Sequence, residues 1–207
     1  MMRDFIYTIG HSNHAIETFM DLLTAHGVTA VADVRSHPYS RYTTQFNRES
    51  LQARLKAQGL GYVFLGRELG ARTDDPGCYV EGRVEYDLLA CTPAFREGLS
   101  RLTRGASDYR IALMCAEKDP LTCHRSILVC RHLTANGIGV QHILEDGRIE
   151  THDAALDRLL AEEGLAEPDL FRSREEMILD AYGQRARQIA YRHHETSEEG
   201  IAGGPST

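Results

Sequence analysis

The chain has 207 residues, 42% hydrophobic and 26% charged, and its 23 cationic against 30 acidic residues give a formal net charge of −7. That is the balance of a globular protein large enough to bury one substantial core. It argues against sequence-blind coating of DNA or of an anionic membrane, both of which need a basic surface. No apolar run approaches the roughly 18 residues of a membrane span, and the opening Met-Met-Arg-Asp lacks the apolar core of a secretory signal. The expected location is the cytoplasm. There are five cysteines, an odd number with no C-x-x-C pair, and most are expected to be reduced thiols.

The predicted elements alternate between strand and helix. Phe5 to Ile9 reads as a strand, and Ile16, Phe19, Met20 and Leu23 mark a helix closed by Gly27. Thr29 to Val34 is a second strand; Leu51 and Leu55 belong to a helix capped by Asn47 and ended by Gly59; Tyr62 to Leu65 is the third strand. A long loop is expected from Gly66 to about Tyr86. Thr92-Pro93 then opens a helix with Phe95, Leu99 and Leu102 on its inner face. Arg110 to Cys115 is the fourth strand. Thr122 is the expected cap of a helix carrying Ile127, Leu128, Val129 and Leu133, so that Cys123, His124 and Arg125 would form its first turn. Val140 to Leu144 is the fifth strand, Asp146-Gly147 a turn, and Leu156, Leu159 and Leu160 lie on a further helix. Ser173 with Glu176 forms a capping box for a helix expected to reach about His193.

This alternation predicts an α/β fold: a mostly parallel sheet of about five strands, helices on both faces, and a C-terminal helical arm. The expected organisation is an α/β domain over 1–165, a helical extension over 166–194 and a flexible tail over 195–207.

Ligands of open parallel sheets bind at the carboxyl ends of the strands. The segments after the predicted strands are rich in His, Arg and Cys: Gly10-His11-Ser12, Arg35 to Arg41, Gly66 to Arg72, and Cys115 to Glu117 running on to Cys123-His124-Arg125. The loops at the opposite ends are bland. A helix start beside Arg125 is a ready anion site, and Arg35, Arg41, Ser12 and Ser40 join it as candidate anion-binding residues. Glu117, His11, His124, Cys123 and Cys115 are the candidate acid–base or nucleophilic groups. Asp33, Gly10, Pro38 and Glu68 are candidate supports, with Asp33 on a buried strand expected to pair with Arg35 or Arg125.

These same blocks resemble the bacterial and archaeal family known as domain of unknown function 488. They are Tyr7 to Ser12, Val31 to Arg35 with Pro38, Ser40 and Arg41, Tyr62 with Leu65-Gly66, Glu68-Leu69-Gly70, and Cys115-Ala116-Glu117 with Cys123-His124-Arg125. The resemblance runs from about Ile6 to His152 and implies a small α/β domain, with no settled activity.

The residues themselves point to an enzyme-like domain that binds an anionic, phosphate-bearing ligand, a nucleotide or a nucleic-acid end, which would make it a hydrolase or transferase. No cofactor is predicted. One alternative is a metal or thiol-redox site made of Cys115, Cys123 and His124, with His11 as a further donor. Another is a non-catalytic binding module. No membrane partner is expected. The charge is uneven: residues 35–72 hold seven cationic residues against two acidic ones, whereas residues 145–180 hold twelve acids against four arginines.

Overall fold

The structure, a computed structural model, describes residues 5–167 and 169–193. In chain order its strands are β1 (Phe5–Gly10), β2 (Ala30–Asp33), β3 (Gly61–Phe64), β4 (Tyr79–Val80), β5 (Arg83–Val84), β6 (Ile111–Cys115), β7 (Gly139–Ile143) and β8 (Ile149–Thr151). Its helices are α1 (Ile16–Ala25), α2 (Arg48–Ala57), α3 (Gly66–Leu69), α4 (Tyr86–Ala90), α5 (Pro93–Ala106), α6 (Arg131–Ala135), α7 (His152–Glu162) and α8 (Arg174–Ile189). The main sheet runs β3-β2-β6-β1-β7-β8, with all pairings parallel except β7–β8.

The five expected strands are all present, and the α/β fold is as the alternation predicts. One face of the sheet is covered by α1 and α2, which bury Phe19, Met20, Leu23, Leu51 and Leu55. The other carries α5, α6, α7 and α8, with Phe95, Leu102, Leu133, Leu159 and Tyr182 in one continuous cluster. Local signals behave as expected at several ends. Thr92 Oγ1 accepts the Phe95 amide at the start of α5, a contact worth about 1 kcal/mol, and the Ser173–Glu176 capping box opens α8.

Four local expectations are corrected. First, β8 is an additional antiparallel edge strand, which forms because the turn at Gly147 (φ 82°) folds the chain straight back on β7. Second, the loop from Gly66 to Tyr86 contains α3 and the hairpin β4–β5, whose turn residues Glu81 (φ 50°) and Gly82 (φ 70°) are both left-handed, the geometry that matches strand twist. Third, the helix after β6 does not begin at Thr122. Asp119 Oδ1 accepts the Leu121 amide and caps a single 3-10 turn, Pro120–Thr122; Cys123 is extended (φ −133°, ψ 139°), and a π-helical turn, Arg125–Cys130, follows and runs into α6. The Asp-Pro pair thus takes the cap assigned to Thr122. Fourth, α8 ends at Ile189. Residues 190–193 are extended along β5, where Val84 N donates to Tyr191 O (2.9 Å) and His193 N to Gly82 O (2.7 Å), which satisfies an otherwise open strand edge.

The α8 helix buries Met177, Ala181, Tyr182 and Ala186 in the same cluster as the sheet. The tail expected over 195–207 lies outside the described residues.

Candidate functional site

The strand order fixes where a crevice opens. The connections leaving β1 and β2 run into α1 and α2 on one face, while the connection leaving β6, which lies between them, runs into the helix on the opposite face. Neighbouring strands whose following segments diverge to opposite faces leave a gap at their carboxyl ends. Register places Gly10 beside Cys115 and Asp33 beside Met114 at that edge. Gly10 is required there, because a Cβ would collide with the carbonyl oxygen of Glu117.

Four side chains converge at this point: Cys115 at the end of β6, Glu117 in the loop after it, and Cys123 and His124 just before the π-helical turn. Their ligating atoms all lie within 4.8 Å of one another. The Cys123 thiol donates to Glu117 Oε2 at 3.0 Å, and His124 Nδ1 lies 3.7 Å from Cys115 Sγ and 3.9 Å from Cys123 Sγ. His124 Nε2 donates to the Val34 carbonyl at 3.0 Å, which aims Nδ1 at the sulfurs. Cys123 also receives the Arg125 backbone amide on its sulfur at 3.4 Å.

The two thiols are driven apart electrically. Burial pushes the Cys115 thiol well above its ordinary range, and the neighbouring Cys123 adds to this. Cys123 is equally buried, but the Cys115 thiol, the Arg125 charge and His124 together outweigh that burial and hold it well below the usual thiol range. Burial opposes charging of His124, yet the Cys123 sulfur beside it raises its basicity. Burial and the Cys123 charge raise the Glu117 carboxyl. The centre therefore sets the more acidic Cys123 thiol beside a basic imidazole, flanked by the Cys115 thiol and the Glu117 carboxyl group, an arrangement of a nucleophile with acid–base partners. Two sulfurs, one imidazole nitrogen and one carboxylate oxygen also form a donor set able to hold a cation.

The other expected site residues are placed differently. Asp33 pairs with Arg35, as the buried strand requires, through Nε–Oδ1 (2.9 Å) and Nη2–Oδ2 (2.7 Å). The rest of Arg35 is consumed by the Phe46 carbonyl (2.8 Å) and His11 Nε2 (3.1 Å). His11 accepts that bond and gives its Nδ1 proton to Ser12 O, while its ring stacks on Phe46 at 4.4 Å. Burial and the Arg35 charge lower its pKa to about 4, so it stays neutral and fully engaged. Arg125, 1% exposed, donates to the carbonyls of Glu117 (2.6 Å) and Lys118 (3.0 Å) and so braces the loop that carries Glu117. Ser12 is a left-handed turn residue (φ 44°). Ser40 Oγ accepts the amides of Tyr42 and Thr43, the Pro38 carbonyl accepts the Arg48 amide, and Glu68 pairs with Arg101. Arg41 is exposed and does not line the pocket described next.

A family model for a domain of unknown function, DUF488, matches residues 15–131, more than half of the chain. The chain belongs to this family. No curated protein and no solved structure gives a significant match. The DUF488 match takes in Asp33-Val34-Arg35, the Gly66 block and the whole convergent cluster, and it begins after Gly10-His11-Ser12.

In this DUF488 protein the cluster opens into a pocket of about 290 Å³, with Cys115, Glu117 and His124 among its lining residues together with Arg35, Ser36, His37, Arg72, Tyr86 and Tyr191. Arg72 lies with its guanidinium 4.5 Å from the Tyr191 ring centre and forms no ion pair among the described residues. The pocket continues into a groove that shares Ser36, His37, Arg72 and Tyr191 and adds Arg67, Asp74, Asp75 and His193. Arg72 and His37 stand in the strand-end segments where sequence reasoning looked, but nothing local separated them from their neighbours. Tyr191 had no such signal, because only the return of residues 190–193 along β5 brings it to the pocket.

Proposed function

We propose that this chain is an enzyme-like domain whose strand-end pocket takes an anionic, phosphate-bearing ligand over the Cys115–Glu117–Cys123–His124 centre. The carrying observation is the pocket lining, in which the cationic Arg72 and the neighbouring His37 share one cavity with Cys115, Glu117 and His124. Arg35 and Arg125, first expected to grip the anion, instead hold Asp33 and two loop carbonyls. The anion is therefore assigned to Arg72, whose planar fork suits a phosphate or carboxylate. Cys123 is the nucleophile in this reading, His124 its proton partner, and Glu117 the general acid or base.

Thermal unfolding of the purified full chain with inorganic phosphate, sulfate and mononucleotides tests it. A ligand at about a hundred times its Kd stabilises by about 2.7 kcal/mol, which corresponds to roughly 5–10 °C in Tm for a chain of this size. Arg72→Ala is expected to remove most of the shift and Arg41→Ala to leave it. If no anion moves the wild-type Tm, the reading fails.

A further inference from the structure

We propose that Cys115, Cys123, His124 and Glu117 bind one divalent cation with the preference of zinc. Two thiolates, an imidazole and a carboxylate make a borderline-soft set that suits zinc and disfavours magnesium or calcium. Tetrahedral zinc, with Zn–S about 2.3 Å and Zn–N about 2.0 Å, needs donors roughly 3.5 Å apart. The spacings at the site straddle that value: 3.0 Å from Cys123 Sγ to Glu117 Oε2, and 3.7 and 3.9 Å from His124 Nδ1 to the two sulfurs.

The surroundings are built in the manner of a metal site. The Val34 carbonyl accepts the Nε2 proton of His124, so the ring is locked with Nδ1 turned to the donors, the outer bond that orients ligating histidines. The loop bearing Glu117 is fixed from three sides: Arg125 holds the Glu117 and Lys118 carbonyls, Ser12 N donates to Ala116 O (2.9 Å), and Gly10 lets β1 approach closely. Donors held by such a frame need little rearrangement to bind an ion. The usual fate of a buried cysteine is inert core packing. Here both sulfurs instead face an imidazole nitrogen, and one of them also faces a carboxylate oxygen.

The four donors are not equivalent. Cys123 is 1% exposed, whereas Glu117 is an exposed residue on the pocket wall. Glu117 is thus the donor that an incoming anion would displace, leaving three fixed ligands and one exchangeable position, the pattern of catalytic zinc sites. This displacement rests on the anion reading of the pocket; binding of the cation does not, and in the loaded chain Cys123 and His124 are ligands in place of the nucleophile and proton-partner roles they take in the metal-free reading.

Metal content of the untagged full chain, produced with zinc in the medium and measured by mass spectrometry after gel filtration, is the test. About one zinc per chain is expected. Cys91→Ser, an exposed thiol outside the cluster, should keep it. Cys123→Ser and His124→Ala should lower it at least tenfold. Should those variants fail to fold, wild-type protein titrated with cobalt(II) still reports directly, through an intense thiolate-to-metal band of a two-sulfur site. Wild-type protein that is folded yet holds no zinc and gives no cobalt band overturns the proposal. So does full zinc retention by folded Cys123→Ser, or a Cys115–Cys123 disulfide in place of metal uptake. The phosphate shift repeated on chelator-treated protein separates the two readings: a shift that persists in a chain unable to hold zinc removes only the metal, and zinc binding without any anion shift removes only the ligand.

Discussion

Asp33 has no exposed surface, yet it accepts from the Arg35 backbone amide (3.1 Å), from Arg35 Nε and Nη2, and from the Tyr62 hydroxyl (2.9 Å). Both carboxylate oxygens are satisfied, so the cost of burying the charge is offset only while the whole set is intact. Asp33→Asn keeps the shape but leaves the Arg35 charge without its counter-ion, and a loss of about 3–5 kcal/mol is expected. Tyr62→Phe removes a single bond to a charged acceptor and should cost about 1.5 kcal/mol. Urea unfolding midpoints of the two variants check the ranking; equal losses would mean that the pair contributes shape rather than charge compensation. The same reasoning explains why arginine count alone misjudges a binding site. Arg35 and Arg125 stand at the predicted edge, but carbonyl and carboxylate oxygens inside the fold claim their guanidinium groups.

Between elements, the most distinctive contact is a buried polar chain joining β1, β7, α7 and α8. Thr8 Oγ1 meets His142 Nδ1 at 2.8 Å, His142 Nε2 meets His152 Nδ1 at 3.0 Å, and His152 Nε2 meets the Tyr182 hydroxyl at 2.9 Å. Burial lowers the His152 pKa to about 4, against weaker opposition from Asp153 and Glu150, and burial with the His152 neighbour holds His142 well below its ordinary value. In the unfolded chain both titrate near the ordinary histidine value of about 6.5. Between those limits the unfolded state binds more protons, so stability is full above the ordinary value and falls as pH drops towards 4. For His152 alone the loss is on the order of 3 kcal/mol. Urea midpoints measured from pH 7.5 down to pH 4.5 should fall steadily, and a flat profile would show that these rings are not held neutral. The capping signals of α5 and α8 were legible because each is complete within one turn of chain. The polar chain was not, since its four members come from four elements that meet only in the folded state.

At the scale of the molecule, the C-terminal arm packs into the same hydrophobic cluster as the sheet. Met177, Ala181, Tyr182 and Ala186 are buried, Arg185 reaches Glu162, Glu163 and the Leu121 carbonyl, and Tyr191 lines the pocket. A 1–165 fragment would expose these partners' apolar surface; each large side chain contributes roughly 1.5–3 kcal/mol of burial, a sum comparable with the whole stability of a domain. Such a fragment is expected to bind a hydrophobic dye and to lack a cooperative thermal transition. A sharp transition close to that of the full chain would establish 1–165 as an independent domain. Several acids of the stretch at this end are paired: Arg158 with Glu150 and Glu162 as well as with Asp119, Arg174 with Asp157, and Arg172 with Asp180. Its charge serves the docking of α7 and α8 as well as the surface.

By itself the sequence determined the alternation of strands and helices, the parallel sheet with both faces covered, and the edge at which Cys115, Glu117, Cys123 and His124 would gather. Hydrophobic period, caps and turn residues act over a few positions, so they can be read one segment at a time. The tertiary structure alone decided which charges remain available. It sent Arg35 and Arg125 inward, brought Arg72 and Tyr191 together at the pocket, and closed four donors to within 4.8 Å. The physical reason is that a buried charge is claimed by whichever oxygen atoms the fold delivers to it, and those oxygens arrive from segments far apart in the chain.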